Sequence, residues 1–256
     1  MIAIRACSSF DELEACVQLQ IETWEMDASE IFPRKAFLLT QKIGGQVIGA
    51  FDTDLGGGPE SLIGFVLAWP GVKTIDGQPQ PYLHSHMLAV RESYRNRGVG
   101  ARLKLAQRSE ALSRGIRRME WTFDPLEIKN AFLNIHKLGA IARRYEVNFY
   151  GVSSSRLQGG LPTDRLVAEW QLDSPRAEAA AEGRRTAAVS IEERILVPAS
   201  IYEWKASEAG REQALAVQLE NRGMFLAAFA RGLAVVGFTR DAEGNGVFEL
   251  GSLAGV

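Results

Sequence analysis

The sequence predicts a mixed α/β fold: a twisted sheet of about six or seven strands flanked by helices, followed by a smaller α+β extension. Three observations predict it. Strand-like and helix-like apolar patterns alternate from Ile2 to Leu172. Residues Tyr82 to Arg114 read as strand, glycine turn and helix in one unit. A compositional break at 174–190 then precedes a further helix and hairpin, so the expected domains are 1–173, a linker or exposed loop at 174–190, and an extension at 191–256.

In chain order, Ile2 to Arg5 predicts a short strand. Ser9 followed by Glu12 offers a capping box for a helix over about Asp11–Trp24, with Leu13, Val17 and Ile21 on its inner stripe. Pro33 can open a second helix that ends near Gly44-Gly45. Gln46 to Phe51 and Leu62 to Trp69 predict a hairpin, and Pro70 to Pro81 a polar loop around Asp76-Gly77. Tyr82 to Val90 is the next strand, and Gly98 to Arg114 a strong helix. Arg118 to Phe123 returns as a strand, stopped by Asp124-Pro125. Ile128 to Leu138 predicts a short helix ended by Gly139. Tyr145 to Ser153 and Leu166 to Leu172 predict a strand pair around Gly159-Gly160-Leu161-Pro162. Beyond the break, Ile195 to Trp204 reads as extended, Ser207 to Arg231 as helical, and Leu233 to Leu250 as a hairpin around Glu243-Gly244-Asn245-Gly246, supported by the turn-favouring Asn245-Gly246 pair.

Composition excludes several classes. Apolar residues make up 46% and charged residues 23%, as in a soluble globular protein, and the net charge of −2 argues against nucleic acid as partner. No run of about 18 apolar residues predicts a membrane span. Met1 to Arg5 lacks a signal-peptide layout, so the expected location is cytoplasmic. Cys7 and Cys16 read as small apolar residues in a reducing compartment rather than as a disulfide framework.

The chemistry-bearing unit is Tyr82–Arg114. Amides at the start of a helix are unpaired and carry the positive end of its dipole. Gly98 and Gly100 let that backbone approach an anion closely. Between Arg91 and Arg118 there are nine Lys/Arg against two Glu, an excess that suits a polyanion such as a pyrophosphate. Glycine turns before helices and basic solvated helix faces are each common, so neither feature alone identifies a phosphate site. The loop is neither a P-loop nor a complete dinucleotide-binding G-x-G-x-x-G.

Leu88-Ala89-Val90, a short spacer and Arg95-x-x-Gly98-x-Gly100 resemble motif A of the GNAT superfamily of N-acyltransferases. Asn130-Ala131 through Lys137-Leu138-Gly139-Ala140 resembles the later helix of that superfamily, and the resemblance covers roughly residues 1 to 173. Trp121-Thr122-Phe123-Asp124-Pro125 and Leu161-Pro162-Thr163-Asp164-Arg165 resemble the marks of a bacterial branch of that superfamily. The resemblance implies acetyl-CoA or another acyl-CoA as co-substrate, with a primary amine, a small molecule or a protein, as acceptor. It implies that the backbone of Leu88, Ala89 and Val90 pairs with the pantetheine arm and that the loop Arg95, Asn96, Arg97, Gly98, Val99 and Gly100 holds the pyrophosphate. Asn130 and Lys137 join them as acyl-CoA contacts. The acyl thioester is then expected between splayed strands.

For the base, His84 and His86 share one strand face, and the resemblance puts His84 where several of these enzymes carry a glutamate. The bland alternative is a pair that lines the sheet. No third ligand accompanies them in the sequence, so no metal site is expected. For the acid, the family's usual tyrosine position holds Ile135, with His136 beside it, and Tyr145 or Tyr150 is left to substitute. Glu120 and Asp124 flank the fifth strand, where Asp124 could orient an amine, and Trp24, Trp69 and Trp121 are candidates to line an acceptor pocket. The C-terminal region is open to two readings, closing the acceptor site or making a homodimer contact. The missing tyrosine keeps open a rival class, a CoA-binding module without turnover.

Overall fold

The computed structural model describes residues 1–75, 77–184 and 190–253. It is a mixed α/β fold in two compact units, Met1–Glu120 and Trp121–Val256.

The first unit contains β1 (Ile2–Ala6), α1 (Phe10–Trp24), α2 (Arg34–Lys42), β2 (Gln46–Asp52), β3 (Leu62–Ile75), β4 (Gln78–Val90), α3 (Val99–Ser113) and the start of β5 (Arg118–Phe123). The strands lie in sequence order, antiparallel except for the parallel pair β4–β5. Alternation along β3 splits its side chains between two cores. Phe65 and Leu67 face α1 and α2 with Leu13, Cys16 and Phe37, whereas Val66 faces α3 with Val99 and Leu103. Each such side chain contributes about 1.5–3 kcal/mol by leaving water. The capping box is half formed: Ser9 Oγ accepts from Glu12 N, but the Glu12 carboxylate turns to Ser8 N and Arg5. Cys7 and Cys16 are buried thiols with their sulfurs 3.8 Å apart.

The expected polar loop at Pro70–Pro81 is a correction. β3 and β4 pair from Gly64↔Val90 to Ile75↔Gln78, so the hairpin is far longer than its apolar run. Periodicity registers a strand by its buried face, and this half of the hairpin projects beyond the core with Val72 70% exposed. Asp76 lies outside the described residues.

The second unit contains α4 (Ile128–Ala131), a π-helical turn Phe132–Lys137, β6 (Ile141–Glu146), β7 (Arg165–Gln171), α5 (Pro175–Ala181), β8 (Glu193–Val197), α6 (Ile201–Ala206), α7 (Arg211–Ala230), β9 (Leu233–Arg240) and β10 (Gly246–Ser252). Its strand order is β7-β6-β9-β10-β8. Gly139, at φ +72°, ends the π-helical turn as its sequence position predicts. The strand expected over Tyr145–Ser153 begins four residues earlier and stops at Glu146, and the extended run expected over Ile195–Trp204 breaks into β8 and α6. The stretch expected as a linker or exposed loop carries α5. There Ser174 caps Ala177 N, Ala177 and Ala179 are buried, and Arg176 donates to the carbonyls of Gly139 and Val236. Residues 185–189 lie outside the described residues. Phe225 of α7 stacks on Tyr145 of β6 at 5.7 Å and meets Phe248 of β10 at 5.2 Å, so the C-terminal helix and hairpin share one core with β6.

Candidate active site

β4 departs from a regular ladder at its centre. Leu67 pairs with Met87 but Ala68 pairs with Ser85, so His86 is an extra residue, a β-bulge. Its effect is visible in the side chains. Ser85 points to α3, His86 and Met87 both point to the α1–α2 side, and Leu88 returns to the α3 side. The parallel pairing with β5 covers Leu83↔Met119 and His84↔Glu120 alone. Among the described residues, the Ser85–Val90 edge beyond that point has no strand partner. Its backbone groups are therefore available to a ligand in an extended conformation.

That edge runs into the loop. Arg95 folds back so that its Nε donates to the Val90 carbonyl at 3.1 Å, and Tyr94 donates to Asp52 at 2.6 Å. Asn96 (φ 61°) and Gly98 (φ 76°) are both left-handed, which turns the chain sharply into α3. A Cβ on Gly98 would meet nothing within 4 Å, so glycine is needed there for its backbone angle and not for room. Arg102 N is the first α3 amide bonded back, to the Gly98 carbonyl. No side chain caps the helix and no acidic residue lies in its first turn. With Arg91, Arg95 and Arg97 in the preceding loop, the arrangement is a cationic cradle built of backbone amides. The loop residues Arg95 to Gly98 are exposed, Val99 is buried and Gly100 is partly buried.

The histidines lie one bulge away. Their ring centroids are 6.4 Å apart. His86 stacks on Trp69 at 4.3 Å and approaches Phe32 at 6.2 Å. Both neighbours are held in place: Trp69 Nε1 donates to Thr40 Oγ1, and the buried Gln20 side chain bonds both the N–H and the carbonyl of Phe32. Burial pushes the His86 imidazole down to about 4, with His84 adding to the effect. His84 is also lowered by burial; Glu120 opposes the shift, while Lys73 and Lys104 add to it. Glu120 itself is ion-paired with Lys73. Both imidazoles are thus neutral near pH 7, and His84, with a carboxylate beside it, is the stronger proton acceptor.

Trp24 is partly buried against the core between α1, α2 and β3. In the second unit, Asn130 and Lys137 are exposed, Lys137 lying 5.6 Å over the Phe132 ring. Ile135 is buried, whereas His136 is exposed and stacks on Phe132. Tyr145 is turned into the core: its hydroxyl donates to Asp164 at 2.7 Å, and burial together with that carboxylate pushes the phenol far up. Tyr150 is half exposed, its hydroxyl 2.8 Å from Thr122 Oγ1. Asp124 is buried and paired with Lys205, and Trp121 packs edge-on to Trp170.

Three features escaped the sequence reading. The bulge leaves no compositional mark. The fully buried Asp164, which takes Arg222 as a two-pronged partner, sits inside the Leu161–Arg165 motif, but its partner is 58 residues away. Lys104, buried beneath β4, had a signal: Gly100, Lys104, Gln107 and Ala111 recur at helical spacing on an inward face.

Residues 13–134 match the model of the Acetyltransferase (GNAT) family. Over that stretch the chain is similar to the GNAT acetyltransferases. Solved structures share its fold at low identity. Arabidopsis thaliana NAA60 in complex with acetyl-CoA is 18% identical with a TM-score of 0.56, over 68% of this chain and 100% of that one. The ribosomal-protein-S18-alanine N-acetyltransferase of Escherichia coli is 15% identical with a TM-score of 0.51, over 68% and 96%. Aminoglycoside 6'-acetyltransferase type Ii is 18% identical with a TM-score of 0.51, over 68% and 98%. No curated protein matches the sequence.

Proposed function

We propose that this protein transfers an acetyl or other acyl group from acyl-CoA to a primary amine, by direct attack in a ternary complex. One observation carries the reading: the unpartnered β4 edge, Ser85–Val90, leads straight into an uncapped, arginine-rich helix N-terminus. The edge fits the extended pantetheine arm and the amides of the Arg95–Gly100 loop fit the pyrophosphate. Asn130 and Lys137 enter through the family resemblance alone. Residues 1–173 form the acyl-CoA-binding catalytic region in this reading, and 191–256 an extension of it. An acceptor amine must lose a proton before it attacks, and His84 takes it, with His86 beside it as a neutral, packed neighbour. Backbone N–H groups of the open β4 edge stabilise the oxyanion. Tyr145 supports no proton-transfer step, because its hydroxyl is committed to Asp164.

Two of the fold relatives are named for a ribosomal protein and for aminoglycosides as acceptors, which leaves both protein and small-molecule amines open here. Among the described residues no helix is long and apolar enough to cross a membrane. A cytoplasmic site of action is part of the proposal. A CoA-binding module without turnover is the second reading, favoured by one observation: Ile135, at the usual tyrosine position, is buried and bears no proton.

Calorimetric titration with acetyl-CoA, free CoA and longer acyl-CoAs tests the core of the proposal. Binding should weaken about tenfold or more in Gly98→Asp, which places a carboxylate at the helix N-terminus, and less in Arg95→Ala. No binding by any CoA species would overturn the proposal. Binding without thiol release across an amine panel would favour the module.

A further inference from the structure

Lys104 is 2% exposed, one turn along α3 from the amides that head the helix. Its Nζ lies 2.8 Å from Ser85 Oγ and 3.3 Å from Gln107 Oε1, and the Ser85 hydroxyl donates to that same Gln107 oxygen at 3.0 Å. Met119 Sδ stands 3.9 Å away. Burial pushes the Lys104 ammonium well below its ordinary range. An amine taken out of water is costly to a core, and an apolar side chain of similar length would fill the same space without that cost. Packing therefore does not account for it. Ser85, its partner on β4, is the residue between His84 and the bulged His86.

We propose that Lys104 is a positioning residue of the transfer reaction: through Ser85 it fixes the β4 bulge that sets His84 and His86. The inference rests on the reading of His84 as the base. Glu120, opposite His84 on β5, favours the imidazolium; Lys73 from β3 and Lys104 from α3 oppose it; His86 shares the strand, flanked by the uncharged rings of Trp69 and Phe32. Lys104 also ties the acyl-CoA helix to the base strand, so the two halves of the site keep one register.

The test is an NMR titration of the imidazoles in Lys104→Met, assigned with His84→Gln, His86→Gln and His136→Gln, alongside acetyl-CoA calorimetry and steady-state kinetics. Loosening the bulge should shift the His84 and His86 titrations together and leave His136 in place. Acetyl-CoA affinity should stay within about twofold, while kcat falls about tenfold or more. Lys104→Gln, which keeps a donor for Ser85, should recover part of kcat and return both titrations toward wild type. His84 and His86 titrations that stay put overturn the proposal whatever kcat does. If Lys104→Met does not fold, Ser85→Ala makes the smaller change, and wild-type kcat in that variant overturns the proposal equally. Wild-type protein that neither binds acetyl-CoA nor releases thiol would sink the base reading, and the imidazole titration would still decide whether Lys104 acts on His84.

Discussion

His84 sits between opposed charges on a strand whose pairing with β5 ends at that residue. Burial and the two lysines lower its proton affinity, and Glu120 restores part of it. A base depressed in this way is unprotonated, and competent, at every pH above its own pKa, so the acid limb of kcat/KM should have its midpoint below the ordinary 6.5. Glu120→Gln removes the stabilising charge and should move that midpoint lower still. His84→Gln should abolish the limb and cut kcat/KM by about 10²- to 10⁴-fold. A pH–rate profile on any accepted amine measures all three. An unchanged profile in His84→Gln would remove the residue from the mechanism.

At the scale of the element, β4, the loop and α3 act as one piece. The loop depends on two left-handed residues, Asn96 and Gly98, and on the Arg95 bond to the Val90 carbonyl. Because the space around Gly98 is open, the two substitutions Gly98→Ala and Gly98→Asn differ mainly in their tolerance of positive φ. Alanine should cost about 1 kcal/mol of stability and weaken acetyl-CoA binding, whereas asparagine should retain most of both. Denaturant melts and calorimetry on the pair would separate backbone conformation from side-chain bulk. Equal loss in both variants would mean that the glycine matters for some reason other than φ.

At the scale of the molecule, the second unit is organised around a buried ion pair. Asp164 is fully buried and accepts from Tyr145, from the Asn148 amide and from both prongs of Arg222 on α7. The C-terminal helix is thereby bonded to the segment that follows β6, beside the aromatic cluster of Tyr145, Phe225 and Phe248. Arg222→Ala would strand the carboxylate in the core and should destabilise the protein by about 3 kcal/mol, read as a lower urea midpoint. Arg222→Lys should recover only part of that, since one ammonium cannot replace a two-pronged guanidinium. A melt unchanged in Arg222→Ala would show the pair to be dispensable.

How much of this was legible depended on the range of the interaction that carries it. Helix caps, glycine punctuation and apolar periodicity are local, and they placed α1, α2, α3, the β9–β10 hairpin and the end of the π-helical turn at Gly139, although that hairpin turns over 241–245 with Gly244 left-handed and Gly246 already paired with Arg240. The loop Arg95–Gly100 was legible for the same reason, since its chemistry lies in consecutive residues. The outer half of the β3–β4 hairpin and helix α5 were not, because neither shows a strong apolar face. The amino-acid sequence by itself therefore determined the α/β class, the anion cradle and the pair of histidines on one strand face. Tertiary structure alone decided the bulge at His86, the end of the β4–β5 pairing at His84, the lysine beneath them, and the capture of Tyr145 by a carboxylate. Each of these is set by partners 15 to 60 residues away, where loop closure and burial, not local preference, decide which groups meet.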